Sequence, residues 1–233
     1  MIGVCVHNHF LPVEELKKVF QLIRVDWAGA GTNEAVIDRL VKHYKDFTIY
    51  LTVHSMKDAL RAKQLWPHVK INFKNEPDLK EHSNVEPLDY ITLTRSLASR
   101  GCPVWGPGLS TWKNVAWREE FIKEKGLDRL AGVDIHGYQM DFAELVREIR
   151  KYTRKPIIIG EWRDTTSGPS PNRAETVAHA IKSCPQGVGL VIYRGPDEGD
   201  QTGFFTNENW TLPVSRPLPE WYQLLKMLGR TQF

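Results

Sequence analysis

Eight short apolar runs rich in β-branched residues recur along the chain, at 2–7, 22–27, 47–54, 69–75, 103–105, 132–136, 156–161 and 188–193. Between them lie segments of helical period, such as 33–45, 86–99, 141–152 and 173–183, and a last one, 218–228, follows the eighth run. Several open on polar residues suited to cap a helix, Asn33, Asp141 and Asn172. A strand followed by a helix and then by another strand is the pattern of a parallel crossover unit. Eight such units predict a closed (β/α)8 TIM barrel, compact and of one domain over 1–233. An open doubly wound sheet is the competing arrangement. Its dinucleotide form needs a glycine-rich turn after the first strand, and "VCVHNHFLP" has none. No internal repeat, low-complexity tract or interdomain linker interrupts the pattern. The long irregular stretch 194–217 follows strand eight and is read as a substrate loop.

In a barrel of this kind the chemistry sits at the C-terminal ends of the strands. Those ends read His7-Asn8-His9, Arg24-Val25-Asp26-Trp27, His54, Asn75-Glu76, Trp105, Asp134-Ile135-His136-Gly137-Tyr138, Glu161-Trp162 and Tyr193-Arg194. Ionisable and aromatic groups are concentrated there, beyond strand interiors such as "IIIG" and "GLVI" that have no packing need for them.

Glu76 is read as the end of strand four and Glu161 as the end of strand seven. Those strands lie on opposite sides of a barrel mouth, so the two carboxylates can converge across it. Such a pair suits cleavage of a glycosidic bond: one acid protonates the departing oxygen, and the other attacks the anomeric carbon or activates water. The chemistry needs their pKa values pushed apart. Arg24 and Tyr138 are placed to hold Glu161 ionised by charge and hydrogen bond. Glu76 is then the proton donor, its pKa expected to rise mainly through the negative charge of Glu161. Asn75 can donate to a sugar hydroxyl. His136 either contacts substrate or orients Tyr138 or a carboxylate. Of the eight tryptophans, Trp27, Trp105 and Trp162 at strand ends and Trp112 and Trp210 on loops are placed to stack on sugar rings.

"NEP" closing strand four, "HGY" after strand six and "GEW" closing strand seven resemble the clan A glycoside hydrolases, retaining enzymes on a (β/α)8 barrel. The family within the clan is not identified. The resemblance implies Glu76 as acid/base with Asn75 as its partner, Glu161 as nucleophile, and Arg24 and Tyr138 as its supports. The tail "GFFTNENWTLPVSRPLPEWYQLLKML" resembles that clan's ending as well. Members often carry a tryptophan on strand eight as the floor of the sugar subsite; here "GLVIYRG" offers Tyr193. The expected activity is a β-glycoside hydrolase acting by double displacement, with a carbohydrate substrate and no cofactor or metal. Selection among glucan, mannan, xylan and galactan is assigned to loop residues such as His54, Asp134 and the 194–217 segment.

Other readings compete. Glu76 could form a surface ion pair with Lys74, and Glu161 a buried structural pair with Arg24. His7 and His9 share one face of a strand and resemble the first two ligands of metal-dependent barrel hydrolases. Glu76 and His136 could add to such a set, but strand five supplies no histidine and Asp197 lies well past strand eight. A carbohydrate-binding pseudoenzyme would keep the barrel, and the retention of both glutamates argues against it. The 31 basic and 28 acidic residues are mixed along the chain and leave a formal charge of +3, which gives no reason to expect nucleic acid or an anionic membrane as partner. No run approaches the roughly 20 apolar residues of a membrane span, and no export signal is visible, so a cytoplasmic setting is the default expectation. Cys5, Cys102 and Cys184 show no metal-ligand spacing and are read as small buried thiols.

Overall fold

The computed structural model describes residues 1–6, 10–27, 33–138, 141–162, 173–192 and 219–230. Eight strands form a single closed barrel in chain order: β1 (Ile2–Cys5), β2 (Leu22–Trp27), β3 (Thr48–Val53), β4 (Lys70–Phe73), β5 (Trp105–Leu109), β6 (Gly132–His136), β7 (Ile157–Trp162) and β8 (Gly189–Ile192). Every neighbouring pair is parallel, and β1 closes the ring on β8 through Ile2–Leu190, Gly3–Val191 and Val4–Ile192. Parallel neighbours require crossovers, supplied by α1 (Val13–Lys17), α2 (Glu34–His43), α3 (Met56–Leu65), α4 (Pro87–Ser99), α5 (Val115–Lys123), α6 (Phe142–Arg150) and α7 (Arg173–Ser183), and α8 (Pro219–Met227) follows the last strand. The (β/α)8 barrel expected from the alternation is therefore the fold.

Local sequence chemistry sets the helix starts. Asn33 Oδ1 accepts from Val36 N at 3.1 Å and Asp141 Oδ1 from Glu144 N at 2.8 Å, the two caps expected from the sequence. Ser55 caps α3 in the same way, with Oγ accepting from Asp58 N at 3.0 Å. Asn172 lies outside the described residues. The outward faces of the strands and the inward faces of the helices share one large core, from Val4 and Ile23 through Leu97 and Ile159 to Trp221.

Inside the barrel a smaller apolar cluster of Cys5, Leu22, Tyr50, Trp105, Ile158 and Val191 fills the lower part. Small residues make room for these large ones. A Cβ on Gly132 would lie 2.3 Å from the Trp105 ring, so glycine at that position is what lets the indole cross the interior. Trp105 opens β5 rather than closing it, since the strand runs on through Gly106 and Pro107 to Leu109. Its ring, 7% exposed, is therefore barrel floor and not the sugar platform expected from the sequence. Asp134 is likewise fully buried inside the wall and cannot select among sugars at the rim.

Above the apolar floor lies a polar layer. Tyr50 Oη donates to Asp134 Oδ2 at 2.6 Å, while Asp134 Oδ1 has no hydrogen-bond partner among the described residues. Burial pushes the Asp134 carboxyl above its ordinary pKa, against the lowering influence of His136, Arg24 and the Tyr50 bond. Tyr50→Phe is expected to destabilise the protein by about 1–3 kcal/mol at neutral pH, because a buried acceptor loses its donor. A carboxyl whose folded pKa is raised is costly above that pKa and loses the cost below its unfolded value. The deficit should therefore shrink as the pH falls through that window, which denaturant unfolding of both proteins at neutral and acid pH would reveal. Equal midpoints at neutral pH would show that Asp134 draws its hydrogen bond from elsewhere.

Candidate active site

Two departures from regular strand geometry build the mouth. On β7 the register with β6 runs Ile135–Ile159 and then His136–Glu161, and with β8 it runs Ile159–Leu190 and then Trp162–Ile192. One extra β7 residue is thus accommodated on both sides, as in a β-bulge. Gly160 faces inward, where a Cβ would fall 1.9 Å from Asp134 Oδ1. Strict alternation would turn Glu161 outward; the bulge brings it inward as well, beside Arg24.

The second departure follows β4. The strand ends at Phe73, not at Glu76 as the sequence suggested. Lys74 and Glu76 adopt left-handed φ of 62° and 46°, uncommon for residues with a side chain. Each such residue costs about 1–2 kcal/mol, and surrounding bonds hold it in place. Lys74 N donates to Val53 O at 2.8 Å, and Glu76 N to Gly108 O at 3.0 Å. The twisted turn carries the Glu76 carboxyl over the mouth, where it is buried.

The groups converge as follows. Arg24, 1% exposed, donates from Nη1 to Glu161 Oε2 at 3.1 Å and to Gly160 O at 2.8 Å. Its Nε donates to Asp26 Oδ1 at 3.2 Å and its Nη2 to Asn75 Oδ1 at 3.0 Å. Burial opposes the guanidinium charge, but Asp26 and Glu161 outweigh it, and the pKa of Arg24 lies well above its ordinary value. Tyr138 Oη donates to Glu161 Oε1. Glu161 is thus held on both oxygens, as the sequence reading of Arg24 and Tyr138 required. An oxygen of Glu76 and an oxygen of Glu161 lie within 4.8 Å of each other.

His136 links the two acids. Its Nδ1 is 2.9 Å from Glu76 Oε1, and its Nε2 is 3.6 Å from Glu161 Oε2, beyond hydrogen-bonding reach. A carboxylate can only accept, so Nδ1 carries the hydrogen toward Glu76. Full burial lowers the imidazole pKa, but the charge of Glu161 and the bond to Glu76 outweigh it and raise the value. Of the roles open to His136 in the sequence, the geometry selects carboxylate orientation. It also corrects the expectation for Glu76. Burial raises that carboxyl's pKa, but the His136 hydrogen bond, followed by the charges of His136, His82 and Arg24, brings it below the ordinary value.

His54 follows β3 at the mouth, partly exposed, its pKa lowered by burial with the charge of Asp26 working against that. Trp162 is partly exposed and meets Phe142 at the start of α6 edge to face, 6.1 Å between centroids. Trp27 packs in the same manner on Trp66 at 5.7 Å, and Trp112 is 3% exposed. Of the tryptophans expected to form sugar platforms, Trp105 and Trp112 are thus buried, while Trp27 and Trp162 keep part of their surface exposed. Tyr193, Trp210, His7, His9 and the 194–217 segment lie outside the described residues. His82, absent from the sequence reading, places Nε2 3.0 Å from Glu76 Oε2. It sits in a loop with no motif to mark it.

Glu76, His136 and Glu161 are near enough to share a cation. The buried Arg24 guanidinium already lies against Glu161, and a second positive charge there would be repelled. The arrangement suits proton transfer and nucleophilic attack.

The chain is similar to known proteins in these respects. A family model described as glycosyl hydrolase catalytic core matches residues 50–186. No curated protein matches. Among solved structures, a GH128 (subgroup II) endo-β-1,3-glucanase from Pseudomonas viridiflava superposes with a TM-score of 0.70 at 16% identity, covering 96% of each chain. A GH128 (subgroup I) endo-β-1,3-glucanase from Amycolatopsis mediterranei, in complex with laminaritriose, gives 0.63 at 15% identity, covering 97% of this chain and 98% of that one. A GH30 endoxylanase from Clostridium papyrosolvens gives 0.64 at 10% identity, covering 98% of this chain and 71% of that one.

Proposed function

The chain belongs to the glycosyl hydrolase catalytic core family, and from that premise we propose that it is a retaining endo-β-glucanase acting on β-1,3-glucan. The observation that carries the mechanism is the approach of Glu76 and Glu161 to within 4.8 Å across the mouth. Retaining glycosidases bring their carboxyl groups to about 5–5.5 Å, whereas inverting enzymes leave about 6.5–9.5 Å for a water. The substrate reading is supported by coverage in both directions. The β-1,3-glucanases are matched over nearly their whole length, while about seven-tenths of the xylanase is matched.

Glu161, held in place by Arg24 and Tyr138, attacks the anomeric carbon as the glycosidic bond breaks. Glu76 transfers a proton to the departing glycosidic oxygen and becomes a carboxylate. Formation of the ester removes the charge of Glu161, which makes the anionic form of Glu76 easier to hold. Glu76 then takes a proton from water as that water attacks the ester-bearing carbon and frees Glu161. His136 remains on Glu76 Oε1 throughout and sets the direction of the other oxygen.

The test is hydrolysis of laminarin, β-1,6-glucan and xylan, with and without a strong chelator, and NMR of the first-formed anomer. Laminarin should be cut to oligosaccharides, insensitive to chelator, with the β-anomer appearing first. An initial α-anomer would overturn retention. Xylan or β-1,6-glucan cleavage without laminarin cleavage would overturn the substrate, and loss on chelation would favour metal-dependent hydrolysis.

A further inference from the structure

The proton that Glu76 gives up must sit on one oxygen. Oε1 accepts from His136 Nδ1 at 2.9 Å and does so whether or not the carboxyl is protonated. The transferable proton is therefore on Oε2, and His82 Nε2 lies 3.0 Å from that atom. A leaving-group oxygen needs hydrogen-bonding reach of about 2.6–3.2 Å to the same atom. While the imidazole stands there, that side of Oε2 is closed to a leaving-group oxygen.

The loop bearing His82 is tied down while the imidazole is not. Ser83 Oγ donates to Asn75 O at 2.8 Å, Val85 N to Pro77 O at 2.8 Å and Asn84 N to Leu79 O at 3.0 Å. The His82 side chain is 48% exposed, and Glu76 is the acid beside it. It can rotate into solvent without moving the backbone, losing one part-exposed contact of modest strength.

Resting on the glycosidase reading above, we propose that His82 is a positioning residue that covers Oε2 of Glu76 in the free enzyme and is displaced from it by the sugar of the leaving group. Glu76 is thereby released as an acid only when substrate lies across the mouth. The charges around Glu76 are His136 from β6, Glu161 from β7, Arg24 from β2 and His82 from its own loop, and His54 beyond β3 faces His82. Of the groups that lower the Glu76 pKa, His136 and Arg24 are buried and fixed, and His82 is the one at the surface. Departure of His82 moves that pKa upward, toward what a proton donor needs.

The profile of kcat/KM against pH reports the free enzyme, and that of kcat reports the complex. For His82→Ala and His82→Gln on laminarin, the basic limb of kcat/KM should move to higher pH while the basic limb of kcat stays in place. Above the parent's limb, kcat/KM should rise about two- to fivefold, the scale of a part-exposed ion pair. An unmoved kcat/KM limb, or equal shifts of both limbs, would overturn the inference with the glycosidase reading intact. So would a fall in both parameters with neither limb moved, since His82 would then bind substrate or support the loop. If the parent itself leaves laminarin uncut, the substrate reading fails first and the inference with it.

Discussion

Glu161→Gln should abolish laminarin cleavage, lowering kcat by about 10⁴-fold or more, with the barrel intact. An amide is nearly the size of a carboxylate but cannot supply the electron pair that makes the ester. The surroundings tolerate it: the amide oxygen can still accept from Arg24 Nη1, and Arg24 keeps Asp26, Gly160 O and Asn75. Removal of one partner from a buried ion pair costs stability, so the thermal midpoint should fall while circular dichroism keeps its parent shape. Glu161→Ala makes the assignment sharper. It leaves a space below the anomeric carbon that azide can enter, and an activated β-glycoside should then yield the α-glycosyl azide. Substantial turnover by Glu161→Gln, or a β-glycosyl azide from Glu161→Ala, would show that another group is the nucleophile.

Much of this site was legible in the sequence because strand order and residue type carry it. The alternation of strand and helix placed strands four and seven across one mouth, and the arginine on strand two was read as a support for the acid on strand seven. What failed depended on where strands stop and how they bulge. Glycine and proline read as punctuation, so strand five was ended at Trp105, and "WGPGL" is strand all the same. Alternation along "IIIGEW" would aim Glu161 at the helices, and the bulge at Gly160-Glu161 reverses that. The approach of the two acids was expected from position alone, by a route that ignored the bulge. The pKa of Glu76 was misjudged because its controlling partner is His136, sixty residues away in sequence, and no local pattern shows which carboxylate an interior histidine will face. His82 left no signal: its role comes from a loop folded back by Ser83 onto Asn75.

Glu76→Gln should separate the two steps that this residue serves. On laminarin, whose leaving group is a sugar alkoxide, loss of the proton donor should lower kcat by about 10²–10⁴-fold. The amide can keep the His136 hydrogen bond through its oxygen, so the position is preserved and only the proton is lost. With a 2,4-dinitrophenyl β-glycoside the departing phenolate needs no protonation, and ester formation should proceed near the parent rate. Breakdown of the ester still needs a base to activate water, so dinitrophenolate should appear as a burst of one equivalent followed by slow release. Azide needs no base, and should restore turnover and give the β-glycosyl azide. That product has the anomeric configuration opposite to the one expected from Glu161→Ala, because here azide attacks the ester after one inversion has already taken place. Equal losses on laminarin and the dinitrophenyl glycoside, with no burst and no rescue, would mean that Glu76 holds His136 and Arg24 in place rather than moving the proton. The buried cluster would then be a structural network with a single acting carboxylate.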